Sequence, residues 1–184
     1  MELVPKDEEL VAQTLKDKDK FRLLVERYQH KLMRYIFRIG GKDASEDLLQ
    51  EVFINAYQNL PGFDRSLSFS SWIYRIAHNV VISHFRKRKV RPEGNLHGDS
   101  EEVLAKLYGD EDVATEVDGK INAAELQVAL TKLKPIYRDI LVLRYFEELE
   151  YQEISDVLRI PMGSVAIYLH RAKKQLRTFY VSHK

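Results

Sequence analysis

Residues 149–176 read LEYQEISDVLRIPMGSVAIYLHRAKKQL, and the fold is decided in this stretch. Tyr151, Ile154 and Leu158 recur three and four apart, the spacing that gathers side chains on one helical face. The run from Arg159 to Gly163 cannot continue that helix, because Pro161 lacks an amide proton and its ring clashes with the preceding turn. Ser164 stands where an N-cap is wanted. A second helix then carries Val165, Leu169, Ala172 and Leu176 as its inner stripe. Its opposite face presents Ile167, His170, Arg171 and Lys174, with Ala166 flanking them. Two helices joined by a tight turn form a helix-turn-helix. The first residues of the second helix can meet base edges in a major groove while later cations reach phosphates. Taken alone, the stretch also fits an ordinary helical hairpin with a solvated basic face.

Upstream, helical spacing dominates. Phe21, Leu24, Val25, Tyr28, Leu32, Ile36 and Ile39 predict one helix, which Gly40-Gly41 should stop. Ser45 is placed to cap the next, whose inner face is expected to hold Leu49, Val52, Ala56 and Leu60 before Pro61-Gly62 ends it. A third helix is expected from Ser70 or Ser71 through WIYRIAHNVVISHFRKRK, with Ile73, Ile76, Ala77 and Val80 on its core face. A second face of that helix carries Trp72, Arg75, Asn79, Ser83 and Arg86. An indole to stack on, a guanidinium for phosphate and an amide that both donates and accepts suit a single-stranded base, although a lone Trp is as readily core. Arg86, Lys87, Arg88 and Lys89, with Arg91, extend the positive charge. Further on, Leu126, Ala129, Leu130 and Leu133 predict another helix, and Pro135 opens one with Ile136, Ile140 and Leu143 inside.

The net charge of +1 conceals a pattern. Residues 1–91 hold 17 Lys/Arg against 12 Asp/Glu, residues 92–119 hold one against nine, and residues 120–184 hold 11 against seven. Two basic blocks flanking an acidic one point to polyanion contacts at two places. The acidic stretch PEGNLHGDSEEVLAKLYGDEDVATEVDG has little periodicity beyond Val103, Leu104 and Leu107 and reads as an interdomain linker. The expected architecture is all-α: two small helical domains, 1–91 and 121–184, joined by a flexible acidic linker over 92–120.

Several function classes are excluded. There is no cysteine, hence no disulfide framework and no thiolate metal site. His30, His78, His84, His97, His170 and His183 show no HExxH spacing, and neither a Walker loop nor a G-x-S-x-G elbow is present. Paired carboxylates such as Glu147-Glu148 read as solvated surface. No catalytic residue, metal or cofactor is expected. The acidic N-terminus lacks the basic start and apolar run of a signal peptide, and no apolar stretch is long enough for a membrane span, so a cytoplasmic location without membrane insertion is expected.

In this order, DLLQEVFINAYQNL, FSSWIYRIAHNVVISHFRKRK, LKPIYRDILVLRYFEELEYQEIS and IPMGSVAIYLHRAKKQL resemble the extracytoplasmic-function (ECF) group of RNA polymerase sigma factors, which retain conserved regions two and four. The resemblance covers most of 20–91 and 122–178. It implies a non-enzymatic protein whose partners are core RNA polymerase and promoter DNA, both duplex and single-stranded. Asp47, Gln50, Glu51 and Asn55 would bind the β′ clamp helices. Trp72, Arg75, Asn79, Ser83, Arg86, Lys87, Arg88 and Lys89 would recognise and open the −10 element. Ser164, Ala166, Ile167, His170, Arg171 and Lys174 would read the −35 element beside a contact with the β flap. An anti-sigma partner is expected too. The alternative is a free-standing helix-turn-helix regulator, which would need neither Trp72 and Asn79 nor the Asp47–Glu51 ribbon.

Two departures stand out. Relatives commonly begin the recognition helix with a sequence like Gly-Thr-Val-Lys-Ser-Arg, where this chain has Gly163-Ser164-Val165-Ala166-Ile167-Tyr168. Apolar contact with thymine methyl groups is one replacement for the missing polar contacts. Ser83 stands where relatives often carry Asp.

Overall fold

A computed structural model describes residues 5–40, 46–88 and 123–181. Ser45, Lys89, Arg91 and the acidic segment with Val103, Leu104 and Leu107 lie outside these residues. Every regular element among the described residues is helical. The helices are α1 (Asp7–Lys16), α2 (Phe21–Gly40), α3 (Glu46–Asn59), α4 (Phe69–Arg88), α5 (Ala123–Lys132), α6 (Pro135–Leu141), α7 (Tyr151–Leu158) and α8 (Met162–Val181), with a π-helical turn over Val142–Phe146.

The first four helices share one core. Leu24, Leu32, Tyr35, Ile36 and Ile39 on α2 are sealed from solvent, an i, i+3/i+4 series that ends where the helix does at Gly40. On α3 the fully inward residues are Leu48, Val52 and Ala56, while Leu49 is only half-buried. Val52, Ala56 and Leu60 are therefore buried as predicted, and only Leu49 gives way to Leu48, which stacks four residues before Val52. Helix α4 begins at Phe69, one residue before the expected start. Ser68 caps it: its Oγ accepts from the Ser71 amide at 3.4 Å. The gain is a buried Phe69 ring with Tyr28, Phe63 and Trp72 around it at centroid distances of 5.5, 5.6 and 5.5 Å.

Helix α1 had no counterpart in the apolar periodicity, since only Leu10, Val11 and Thr14 are buried on it. It is held by polar bonds instead. Asp7 accepts from both Arg27 and Tyr28 of α2. Burial raises the Tyr28 hydroxyl far above the ordinary tyrosine range, with the Asp7 carboxylate adding to it. Glu8 accepts the Phe69 amide at 3.4 Å. That places an acid at the positive end of α4, where the helix dipole favours it.

Helices α5 to α8 bury their own inner stripes, and these join the apolar residues of the first four helices in one continuous cluster. The predicted inward positions Leu126, Ala129, Leu130 and Leu133 are all buried, as are Val165, Leu169, Ala172 and Leu176 on α8. Helix α7 differs from expectation. Ile154 and Val157 are buried, Leu158 is half-buried, and Tyr151 is exposed with its ring 5.4 Å from the Arg144 guanidinium. A cation beside an aromatic face lets that ring sit at the surface.

Candidate polymerase and nucleic-acid interfaces

The helix-turn-helix is built by α7, a left-handed residue and α8. Arg159 closes α7 at φ 54° and ψ 46°, and the Arg159 and Ile160 amides both donate to the Ser155 carbonyl. Ser155 Oγ donates to the Ile160 carbonyl at 2.6 Å, so a single residue ties both ends of the turn. Sequence reading passed over Ser155, because a serine inside a helix is usually a solvated residue. Ser155→Ala is expected to destabilise this turn by about 1 kcal/mol, the worth of one part-buried hydrogen bond. Urea unfolding of the chain would measure it.

Ser164 does not cap α8. The helix already starts at Met162, behind Pro161, and the Ser164 amide donates to the Pro161 carbonyl at 2.8 Å. Proline pre-sets the φ of the chain entering a helix, which moves the start forward of the expected cap. Ser164 thus sits in the first turn and is half-buried. The outer face is as expected: Ala166, Ile167, His170, Arg171 and Lys174 are all exposed. Met162 joins them at the tip, 54% exposed, beside Ile167 at 51%. Tyr168 turns away and packs 6.0 Å from Tyr137. The exposed face is therefore apolar at its N-terminal end and cationic further along.

On α3, Asp47, Gln50 and Glu51 are exposed and Asn55 is half-buried. Ile54 lies on the same face, seven residues from Asp47 and three from Glu51, and is 55% exposed. Tyr57 is also exposed, with its ring edge-on to Phe21 at 5.1 Å. Sequence reading missed both. An isoleucine at an exposed position of a polar helical stripe was the available signal, since apolar centres with charged rims are how protein interfaces are built.

On α4, Asn79, Arg86, Lys87 and Arg88 are exposed, while Arg75 and Ser83 are half-buried. Arg75, Asn79, Ser83 and Arg86 follow one another at helical spacing along one stripe. Trp72 is not open to solvent: it retains 9% exposure, with Phe63 at 5.0 Å and Phe69 at 5.5 Å. In this structure the indole is part of the core, at the edge of the stripe. The cations lie in the last turn of α4, where the helix dipole favours them.

The largest departure from expectation is Glu147. Far from being solvated, its side chain retains 3% exposure and pairs with Arg38 of α2, itself at 5%. Tyr74 of α4 donates to the other carboxylate oxygen at 2.7 Å. Burial raises the Glu147 carboxyl above the usual range, against the pull of Arg38 and the Tyr74 bond. Nearby, Arg138 and Asp139 are buried side by side, with Nε and Oδ1 3.5 Å apart. Burial raises the Asp139 carboxyl and lowers His78, whose Nδ1 is 3.0 Å from the Tyr35 hydroxyl. The two helical units are docked on one another through these groups.

With that geometry in view, two family models match the chain. Residues 24–91 match Sigma-70 region 2 and residues 123–176 match Sigma-70, region 4. The ECF RNA polymerase sigma factor SigW of Bacillus subtilis is 35% identical over 168 residues, covering 88% of this chain and 89% of that protein. The chain belongs to the ECF sigma factors. The sigma-H factor of Pseudomonas aeruginosa is 31% identical, covering 92% of this chain and 91% of its own. The sigma-E factor of Escherichia coli K12 is 29% identical, with 92% of each covered. Among solved structures, CnrH in complex with the cytosolic domain of CnrY superposes with a TM-score of 0.68 at 23% identity, over 97% of this chain and 99% of that one. RpoE of Bartonella quintana, in complex with the anti-sigma factor NepR, gives 0.62 at 17% identity over 89% and 98%. These two confirm the all-helical fold. As an ECF sigma factor, the protein binds core RNA polymerase and directs promoter-specific initiation. A free-standing regulator is not favoured, because region two is present beside region four. No described helix is long and apolar enough to cross a membrane.

Proposed function

We propose that this sigma factor divides its work among three surfaces. Residues 1–91 form the region-two unit, 92–120 the acidic connection and 121–184 the region-four unit. Asp47, Gln50, Glu51 and Asn55 dock on the β′ clamp helices, with Ile54 as the apolar centre of that contact. The stripe of Arg75, Asn79, Ser83 and Arg86, continued by Lys87, Arg88 and Lys89, takes the −10 region, and Trp72 leaves its seat to stack on an unpaired base. Unstacking costs a few kcal/mol per step, so captured bases must offset it. The protein acts by binding, not by catalysis, and works in the cytoplasm. A protein inhibitor of the anti-sigma kind is proposed by analogy with the complexes of the two solved neighbours.

The observation that carries the −35 reading is the exposed face of α8. Ala166, Ile167 and Met162 offer no hydrogen bond to a base edge, so they select the one apolar group in the major groove, the thymine C5-methyl. His170, Arg171 and Lys174 hold the helix to phosphate. Duplexes selected from a random library by the reconstituted holoenzyme are expected to share a bipartite site whose upstream half contains thymine. Replacing those thymines by deoxyuridine should weaken binding about tenfold, roughly 1.4 kcal/mol, and Ile167→Ala should erase the difference between the two bases. Equal binding of thymine and deoxyuridine sites by the unaltered protein would overturn the methyl reading. A single undivided site would overturn the bipartite one.

A further inference from the structure

Arg159 closes α7 in a left-handed conformation that the turn imposes and the residue itself does not favour. Helices that end this way usually place glycine at this position, because a Cβ crowds the following carbonyl. The conformation is fixed all the same, by the bonds that the Arg159 and Ile160 amides give to the Ser155 carbonyl. Leu158 and Ile160 on either side pack toward the apolar core. The Arg159 side chain between them is exposed and makes no hydrogen bond or ion pair among the described residues. Asp156, three residues earlier, accepts from Gln152 at 3.2 Å instead. The strain is thus uncompensated within the protein, and an outlier of this kind points to a use outside it.

Gly163, on the first turn of α8, carries the converse signal. It is exposed, and open space lies where a Cβ would stand. Alanine would serve the helix better, and nothing inside the protein requires its absence. A surface that presses close from outside does require it. Arg159 and Gly163 flank Pro161 and Met162, so both choices against the stability of the free chain fall on the tip that α8 offers to DNA. At that tip Met162 and Ile167 are apolar, and the cations Arg171 and Lys174 lie beyond them along the helix. The helix rises about 13 Å from Met162 to Arg171 at roughly 1.5 Å per residue, close to the major groove's width of about 12 Å. Arg159 lies before Met162, so positive charge brackets the apolar tip on both sides.

We propose that Arg159 grips a DNA phosphate in the −35 contact. Its guanidinium binds the backbone on one side of the major groove, Arg171 and Lys174 hold the other, and Gly163 lets the duplex come close. The proposal rests on the −35 reading of α8 given above. A guanidinium presents its donors in a planar fork that matches two phosphate oxygens. Such backbone contacts fix the register of a recognition helix without reading sequence. The chain therefore keeps a cation where glycine would make a firmer turn. Stability and DNA affinity must then respond to Arg159 in opposite directions, which a residue that only shapes the turn would not do.

The test uses the full chain reconstituted with bacterial core polymerase and bound to duplex carrying the selected two-part site. Arg159→Gly is expected to raise the urea midpoint of the free chain, yet to weaken binding to that duplex about fivefold. The slope of log affinity against log salt should become shallower by about 0.9, the share of one phosphate. Arg159→Asn, which tolerates the left-handed conformation without the charge, should do the same to binding. Arg159→Lys should keep most of the affinity. None of the three should change the ratio of thymine to deoxyuridine binding found for the unaltered protein. A methylphosphonate, which removes the charge of one phosphate, is then placed at each position along the upstream half in turn. One position is expected where it weakens the unaltered protein but not Arg159→Gly. A lower urea midpoint for Arg159→Gly, an unchanged salt slope, a changed base ratio or the lack of any such phosphate would overturn the proposal. Failure of the −35 reading shows itself differently: replacing the upstream half of the site would then cost the unaltered protein nothing.

Discussion

Reversing two charges on α3, Asp47→Lys with Glu51→Lys, is expected to lower the affinity for core RNA polymerase at least a hundredfold and to abolish promoter-dependent initiation. Both side chains are exposed and lie four residues apart on one face around Ile54. The fold loses little, since Asp47 in the first turn of α3 is worth about 0.5 kcal/mol through the helix dipole and Glu51 is an exposed mid-helix side chain. Across an interface the same change places like charges together, and close interfacial charge pairs are worth roughly 1.5–7 kcal/mol. Two reversals therefore exceed the 2.7 kcal/mol or so that a hundredfold represents. Titration of labelled protein with core polymerase measures the loss, and thermal melting checks that the fold survives. Unchanged core affinity would remove α3 from the interface.

Phe69→Ala carries the largest expected effect on stability. The ring is fully buried and packs edge-on against Tyr28 and Phe63 and tilted against Trp72. Truncating such a ring costs about 3–5 kcal/mol, against a total stability for a small domain of roughly 5–15 kcal/mol. The urea midpoint should fall sharply. Trp72 is the single tryptophan of the chain and touches the site, so its fluorescence reports the transition directly. A loss under about 1 kcal/mol would mean that the aromatic cluster is not the keystone of region two.

The sequence disclosed what regular spacing can disclose. The inner stripes of α2, α5 and α8 and the exposed face of the recognition helix all follow from apolar residues three and four apart, and the structure keeps them. It disclosed less where a neighbour decides the outcome. Leu48 and Leu49 are adjacent and equally apolar, so only packing against other helices could choose Leu48 for the core. Tyr151 fits the inner face of α7 by spacing, yet Arg144 gives its ring a place outside. Helix α1 escaped because its attachment runs through Asp7 and Glu8, and acids near a chain start read as solvated. Glu147 escaped for the same reason and with greater consequence. Its partners, Arg38 and Tyr74, lie 109 and 73 residues away, beyond any local pattern.

The candidate sites divide along the same line. The polar ribbon of α3 and the basic tail of α4 are surface features, and charge spacing finds them. Ile54 is an exception to a rule, visible only once its exposure is known. Trp72 was readable as platform or core, and the structure seats it in the core. A role in base capture then requires the ring to move, which couples melting to a rearrangement at the start of α4. The turn before α8 shows a smaller effect of the same kind: Pro161 starts the helix early, so Ser164 enters its first turn instead of capping it.

The most direct measurement is run-off transcription with purified bacterial core polymerase on a template carrying the two-part site recovered by selection. Core alone should give no discrete product. Addition of this protein should give a single run-off transcript that depends on both halves of the site and vanishes with the Asp47→Lys, Glu51→Lys pair. A protein that binds the same duplex yet yields no promoter-dependent transcript with saturating core would contradict the assignment of these two regions to initiation.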